Sequence, residues 1–225
     1  MRRRSGGRSG WRADPMPSSL TTMSQAMDLT PVALEGAIIR LEPLGAHHLD
    51  GLCAAGLHPS LWRLTVSRVA SRADMERYLN TALAEQRAGT AVPYATVLRD
   101  GGHVIGSTRF GNVTPEHRRV EIGWTWLDPR WQRTGANTEA KYLMLRHAFE
   151  VWQCIRVEFK TSALNERSRA AIRRIGASEE GIFRRHMVNE DGSLRDSVFF
   201  SIIAEEWPAA RRRLEDMMAA HDVRP

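Results

Sequence analysis

Trp124-Thr125-Trp126-Leu127-Asp128-Pro129-Arg130-Trp131-Gln132-Arg133-Thr134-Gly135-Ala136-Asn137 is the stretch on which the reading of this chain turns. Leading into it, Val120, Ile122, Trp124 and Trp126 recur at every second position, the period of a strand over 118–127 with one apolar face. Pro129 ends that strand. Beyond it, Tyr142, Leu145, Phe149 and Trp152 form one apolar row and Ala140, Met144, Ala148 and Val151 another. Two rows predict a helix over 135–152 that is buried on much of its surface. Strand, compact loop and helix therefore follow one another directly. Successive amides of such a loop point into one concavity, and the helix N-terminus adds roughly +0.5 charge. That suits a diphosphate. Gly135 permits close backbone approach or a positive φ. An ordinary strand-to-helix turn has the same outline, so the loop alone leaves both readings open. No Gly-Lys-Ser/Thr follows, and no GxGxxG is present, which excludes the common nucleotide-hydrolysing and dinucleotide loops.

Working outward, Pro93 to Leu98 and His103 to Phe110 read as a hairpin turning at Asp100-Gly101-Gly102. Ser71 caps a predicted helix with Asp74 three residues on; it runs to about Arg87 and stops at Gly89. Residues 46–55 read as helix and 56–70 as irregular around Leu61, Trp62 and Leu64, while Ile38 to Leu41 is a short strand closed by Pro43. Downstream, Ile155, Val157, Phe159 and Thr161 alternate as a strand, and 165–175 is a short helix. Strands near 181–188 and 195–203 flank Asp191-Gly192, and Glu205 to Ala219 is a terminal amphipathic helix with Pro208 near its first turn. The order is β-α-α-β-β-β-α-β-α-β-β-α. Its centre predicts a mixed α/β sheet containing a parallel pair.

The chain has 225 residues, enough for one large domain, and no apolar run long enough to cross a bilayer. Residues 1–30 read as an Arg/Gly/Ser-rich disordered leader without the apolar stretch of a secretory signal; Met16, Met23 and Met27 are alternative starts. Residues 31–225 read as a single domain, cytoplasmic by default. Four of the six excess positive charges come from residues 1–27, where Arg2, Arg3, Arg4, Arg8 and Arg12 face only Asp14. With the excess concentrated in the leader, and no basic stripe interleaved with aromatics elsewhere, a nucleic-acid partner is not expected. Of the 32 basic residues only Lys141 and Lys160 are lysines, which reads as genome composition. Cys53 and Cys154 are too few for a disulfide framework or a zinc site, His47-His48 lack metal-ligand spacing and read as surface histidines, and no metal is expected.

Gln132-x-x-Gly135-x-Asn137 resembles the Gln/Arg-x-x-Gly-x-Gly/Ala signature of the GNAT acetyltransferases, with Asn137 departing at the last small position. Two further stretches resemble the same family in the same order: Glu121-Ile122-Gly123-Trp124 before the loop, and Asn165-Glu166-Arg167-Ser168 followed by Ile175-Gly176-Ala177 and Gly181 after the next strand. The spacing from Pro129, with Thr138-Glu139-Ala140 opening the helix, is most similar to the RimJ/RimL branch. The resemblance spans about 37–204. It implies the GNAT fold, a mostly antiparallel twisted sheet of six to seven strands with a splayed parallel pair, flanked by helices. It also implies acetyl-CoA as co-substrate, an amine acceptor, and acyl transfer by direct attack in a ternary complex.

On that resemblance the amides of Gln132, Arg133, Thr134, Gly135, Ala136 and Asn137 hold the coenzyme diphosphate, and the backbone of Trp126 and Leu127 pairs with the pantetheine arm. Asn165 holds a pantetheine amide. Glu121 takes the acceptor's proton through a water, since an alkylammonium with pKa near ~10.4 has no lone pair to attack with. Ser168 donates to the leaving thiolate; no tyrosine follows Tyr142 to do so. Each has a plainer reading: Glu121 as a salt-bridged strand residue, Asn165 as a helix cap, Ser168 as a packing residue, His186 as a hydrogen-bonded structural histidine. A CoA-binding regulatory module without turnover is the alternative. Acceptor identity falls to loops 56–70 and 110–118, which no motif labels, and homodimers are common in the branch.

Overall fold

The structure is a computed structural model and describes residues 27–220, so the expected leader lies almost wholly outside the described residues. Strands β1 (Leu34–Glu35), β2 (Ile39–Pro43), β3 (Val92–Leu98), β4 (Val104–Thr114), β5 (Arg119–Leu127), β6 (Arg156–Ser162), β7 (Ser178–Val188) and β8 (Leu194–Ile203) form one sheet in the order β1-β2-β3-β4-β5-β6-β8-β7. Helices α1 (Leu49–Gly56), α2 (Arg72–Arg87), α3 (Gly135–Arg146), α4 (Glu166–Arg174) and α5 (Trp207–Ala220) flank it. Among the described residues no helix is long and apolar enough to cross a membrane.

Only β5 and β6 run parallel, as the strand–loop–helix–strand order predicts, because α3 carries the chain back to the start of the sheet. The other neighbours are antiparallel; β3 and β4 turn through Gly101 and Gly102, both at positive φ. The sheet has eight strands rather than six to seven. The addition, β1, is two residues long and too short to show a period. Glu139, 5% exposed on α3, seats the turn that follows it by accepting the amides of Ala37, Ile38 and Ile39 at 2.6, 2.8 and 2.8 Å.

Two cores sit on the two faces. Val120, Ile122, Leu127, Phe159 and Phe200 pack against α3, α4 and α5, and α3 is buried nearly all round as its two apolar rows require. Its α-helical part ends at Arg146; His147–Val151 is a π turn closed by Trp152 N–H on the His147 carbonyl at 3.0 Å. On the opposite face, Leu52, Met75, Leu79, Ala95 and Val97 pack with α1 and α2. The predicted cap of α2 forms: the Asp74 amide donates to Ser71 Oγ at 3.2 Å and the Ser71 amide to Asp74 Oδ2 at 2.9 Å.

One expectation fails inside the deciding stretch. Arg109 pairs with Gly123 but Ser107 pairs with Trp126, so β5 carries one extra residue, with Trp124 at φ +50. Such a bulge shifts side-chain parity by one. Val120 and Ile122 therefore face α3, while Trp126 turns to the other face against Trp62 and Tyr78, at centroid distances of 5.6 and 6.5 Å. Trp124 lies on that face too, under the Arg109 guanidinium at 4.9 Å. The four residues do not share one face, and Glu121 lies on the side of Trp124 and Trp126 rather than opposite them.

Candidate active site

Strands β5 and β6 pair only at Arg119, Val120 and Glu121 with Arg156, Val157 and Glu158. Past Glu121 and Glu158 they part, while β5 runs on to Leu127 and β6 to Ser162. The gap opens at the loop that follows β5. Asp128 caps the turn Pro129–Trp131 by accepting the Arg130 amide at 2.9 Å, and Gln132 Nε2 donates to the Leu127 carbonyl at 3.0 Å. Thr134 caps α3 by accepting the Ala136 amide at 3.2 Å.

Two of the six amides from Gln132 to Asn137 are thus internally satisfied, Ala136 by Thr134 and Gln132 by the Pro129 carbonyl at 3.3 Å. Those of Arg133 and Thr134 have no internal acceptor among the described residues. Gly135 and Asn137 stand in the first turn of α3, where the helix offers no i−4 partner. The positive φ falls on Arg133, at +64, and not on Gly135, which is helical and buried. Asn137 leaves its Oδ1 buried without a partner.

The start of α4 comes up beside this loop. Asn165 Oδ1 accepts the Ser168 amide at 3.0 Å, so Asn165 is the cap of α4; Arg167 Nη1 reaches Gln132 Oε1 at 2.8 Å. Asn165, Ser168 and the Gln132–Asn137 loop therefore form one group. Glu121 belongs to another, a cavity of about 430 Å³ on the side of the sheet where β6, β8 and β7 carry no helix among the described residues. Its lining includes Asn112, Thr114, Arg119, Glu158, Lys160, His186 and Phe199.

Glu121 is 4% exposed. Asn112 Nδ2 donates to its Oε2 at 2.7 Å, and Lys160 Nζ lies 3.2 Å from the same oxygen. Asn112 gets there through a second bulge, between Gly111 and Thr114, with φ +48. Of the two loops left without a motif, 110–118 thus supplies cavity wall, whereas 56–70 meets the β7–β8 turn, its Arg68 amide donating to Glu190 Oε2 at 2.7 Å. His186 lines the cavity and also bonds Ser197 Oγ through Nδ1 at 3.1 Å; burial chiefly, then Lys160, shifts its pKa down. The two cysteines lie elsewhere, Cys154 with its thiol pushed up to about 12 by burial. His48 is buried rather than surface-lying: it accepts the Gly45 amide at 3.1 Å and meets Glu42 at 3.0 Å, so both its nitrogens are engaged.

The sequence reading missed Lys141. It is 7% exposed on α3, and its Nζ donates to Thr125 Oγ1 at 2.6 Å and to Thr108 Oγ1 at 3.4 Å, under the β5 bulge. Burial pulls its amine down to about 7. The signal was available: in a chain whose other basic residues are all arginine, one lysine sits under the bulge and the other beside Glu121. The sign of the pH effect follows. The unfolded chain keeps this proton up to about 10.4 and the folded chain releases it near 7, so stability rises with pH through that window. Below it the amine is charged in both states and the burial penalty is complete. Lys141→Met is expected to flatten the rise in urea midpoint between about pH 6 and about pH 10; equal slopes would contradict a depressed Lys141.

A family profile described as the acetyltransferase (GNAT) domain matches residues 39–178, which contain the Gln132–Asn137 loop, Asn165, Ser168 and Glu121 but not the cavity residues His186 and Phe199. The chain belongs to the GNAT acetyltransferases. A GCN5-related N-acetyltransferase from Brucella melitensis superposes with a TM-score of 0.77 at 31% identity, covering 84% of this chain and 86% of that one. RimJ of Mycobacterium smegmatis, solved with CoA-disulfide, has a TM-score of 0.66 at 26% identity, covering 82% of this GNAT chain and 91% of RimJ. YdaF of Bacillus subtilis, named as a ribosomal N-acetyltransferase, is 33% identical over 113 residues, 50% of this chain and 60% of YdaF. The chain thus spans about three fifths of that relative, and 58% of a second B. subtilis N-acetyltransferase, YoaA. These likenesses place this GNAT in the RimJ/RimL-like branch.

Proposed function

We propose that this chain moves an acetyl group from acetyl-CoA to a primary amine, of a protein N-terminus or a small molecule, by direct attack in a ternary complex. The observation that carries the reading is the pair of unengaged amides at Arg133 and Thr134, at the head of α3 and beside the gap between β5 and β6. With those of Gly135 and Asn137 they would hold a diphosphate at the positive end of the helix. The edge of β5 at Trp126 and Leu127 faces the gap, where an extended pantetheine arm would add as a strand. Asn165 has its oxygen committed to the Ser168 amide, which leaves its side-chain NH₂ for that arm.

In this reading the acceptor enters the cavity as an ammonium and loses its proton to Glu121 through a water. The freed lone pair forms the C–N bond, and a main-chain N–H near Trp126 faces the oxyanion. The C–S bond then breaks, the nitrogen of the new C–N bond gives up its extra proton to water, and the half-buried Ser168 hydroxyl passes a proton from solvent to the thiolate, regaining the one it gives. Direct attack needs no nucleophilic thiol, in keeping with Cys53 and Cys154 lying outside the cavity lining. The names of YdaF and RimJ make protein N-termini the first acceptors to try.

Titration calorimetry with acetyl-CoA, followed by thiol release across a panel of amines, tests the reading. Binding heat and turnover with at least one amine are expected. No heat would overturn it, and heat without turnover would point to a regulatory CoA-binding module instead.

A further inference from the structure

Behind the cavity wall that His186 of β7 and Phe199 of β8 provide lies a charge that no acid among the described residues pairs with. Strand β7 shifts register between Phe183 and Met187, with Arg185 at φ +51, and there His186 meets Ser197 of β8. Arg195 stands two residues before Ser197 on the same strand, and so on the same face as Ser197 and Phe199. It is 9% exposed, its Nε has no partner, and no carboxylate pairs with its guanidinium among the described residues. A guanidinium keeps its proton under all ordinary conditions. Burial works against that charge, and Glu121 is the group whose field favours it.

The acids nearby are committed elsewhere. Glu121 holds Lys160 and Asn112, and Glu158 holds Arg119 and Arg156. The adjoining hollow, lined by Phe183, Arg184, Arg185 and His186, adds two more cations and no acid. Burying a charge with no counter-charge is unfavourable unless a partner arrives. Arginine's planar fork matches a carboxylate in two parallel hydrogen bonds.

We propose that Arg195 receives a carboxylate carried by the acceptor itself, so that the substrate class is amines with a negative charge on their own skeleton. This rests on reading the cavity as the acceptor side of acyl transfer. Glu121 would then face the amine end of such a molecule and Arg195 its anionic end. The arrangement selects against simple alkylamines and polyamines, which would bring further positive charge to a wall that already has an excess.

Two arms test it on the full chain. In the first, thermal melts with succinate and with its uncharged diamide need no turnover. Succinate is expected to raise the wild-type melting temperature more than the diamide does, and Arg195→Gln to remove the difference. In the second, the C-terminally amidated dipeptides alanyl-glutamate amide, whose one carboxylate is its side chain, and alanyl-glutamine amide, which has none, are compared as acceptors at saturating acetyl-CoA. Wild-type kcat/KM is expected to favour the glutamate dipeptide by about 10-fold, the scale of one charge-assisted hydrogen bond, and Arg195→Gln to bring the ratio to about 1. Should Arg195→Gln not fold, Arg195→Lys, which keeps the charge without the fork, is expected to retain only part of the preference.

Wherever turnover is seen, the kinetic ratio decides. Equal wild-type rates on the two dipeptides, or a ratio that Arg195→Gln leaves unchanged, would overturn the proposal. If no dipeptide is acetylated, the melts decide: protection by succinate that depends on Arg195 upholds the anion site and no such protection overturns it, while the acyl-transfer reading stands or falls separately on the calorimetry and the amine panel.

Discussion

Glu121→Gln is expected to lower turnover of acetyl-CoA with any productive amine by roughly 10²–10³-fold, the usual share of general-base catalysis, while leaving acetyl-CoA binding unchanged. The substitution keeps the side chain's size and its oxygen toward Asn112, and removes only the ability to take a proton. It also leaves Lys160 without its partner 3.2 Å away. Lys160→Met separates the two effects: it breaks the same ion pair but retains the carboxylate. A large loss in Glu121→Gln with a small one in Lys160→Met identifies proton removal as the role. If the two variants fall equally, the carboxylate serves to hold Lys160, and the base must be sought elsewhere in the cavity, with His186 next in line.

The largest loss of stability is expected from Glu139→Ala. One buried carboxylate takes the amides of Ala37, Ile38 and Ile39, and removing it leaves three donors on a turn that lies directly over α3. A β-carbon on Gly36 would collide with the Glu139 carboxylate, which shows how closely the turn is seated on this side chain. At about 1–3 kcal/mol for each unsatisfied buried donor, and with water reaching the more open ones, the loss should be about 3 kcal/mol or more. In a domain of this size that is a fall in melting temperature of roughly 6–12 °C. Glu139→Gln should lie between, since one of its two terminal groups becomes a donor facing donors. A melting temperature within about 2 °C of wild type in Glu139→Ala would mean that the turn finds other partners.

What the sequence disclosed was whatever repeats locally. The two apolar rows of α3, the Ser71–Asp74 cap and the Gly101-Gly102 hairpin each lie within a few turns of chain, and the structure contains all three. The parallel pair followed from element order. What stayed hidden depends on distant partners or on backbone parity. The turn that brings β1 back against β2 is seated on Glu139, about a hundred residues away in the chain. The bulges at Asn112, Trp124 and Arg185 put non-glycine residues at positive φ, which no side-chain pattern announces. Yet these three bring Asn112 onto Glu121, turn Trp126 to the α2 face, and set the stretch in which His186 meets Ser197. The loop from Gln132 to Asn137 was legible as a motif; which of its amides are free was not, because that depends on the Thr134 hydroxyl and the Pro129 carbonyl.

The short ladder between β5 and β6 has a consequence for the molecule as a machine. Three residue pairs join the five-stranded half of the sheet to the three-stranded half, and beyond them the seam has no rungs of its own. A molecule lying along that seam and bonding to both banks acts as a strap. Its occupancy and the closure of the open end of that seam then become one equilibrium, so binding would add to the hold that the shared core beneath α3 already gives the two halves.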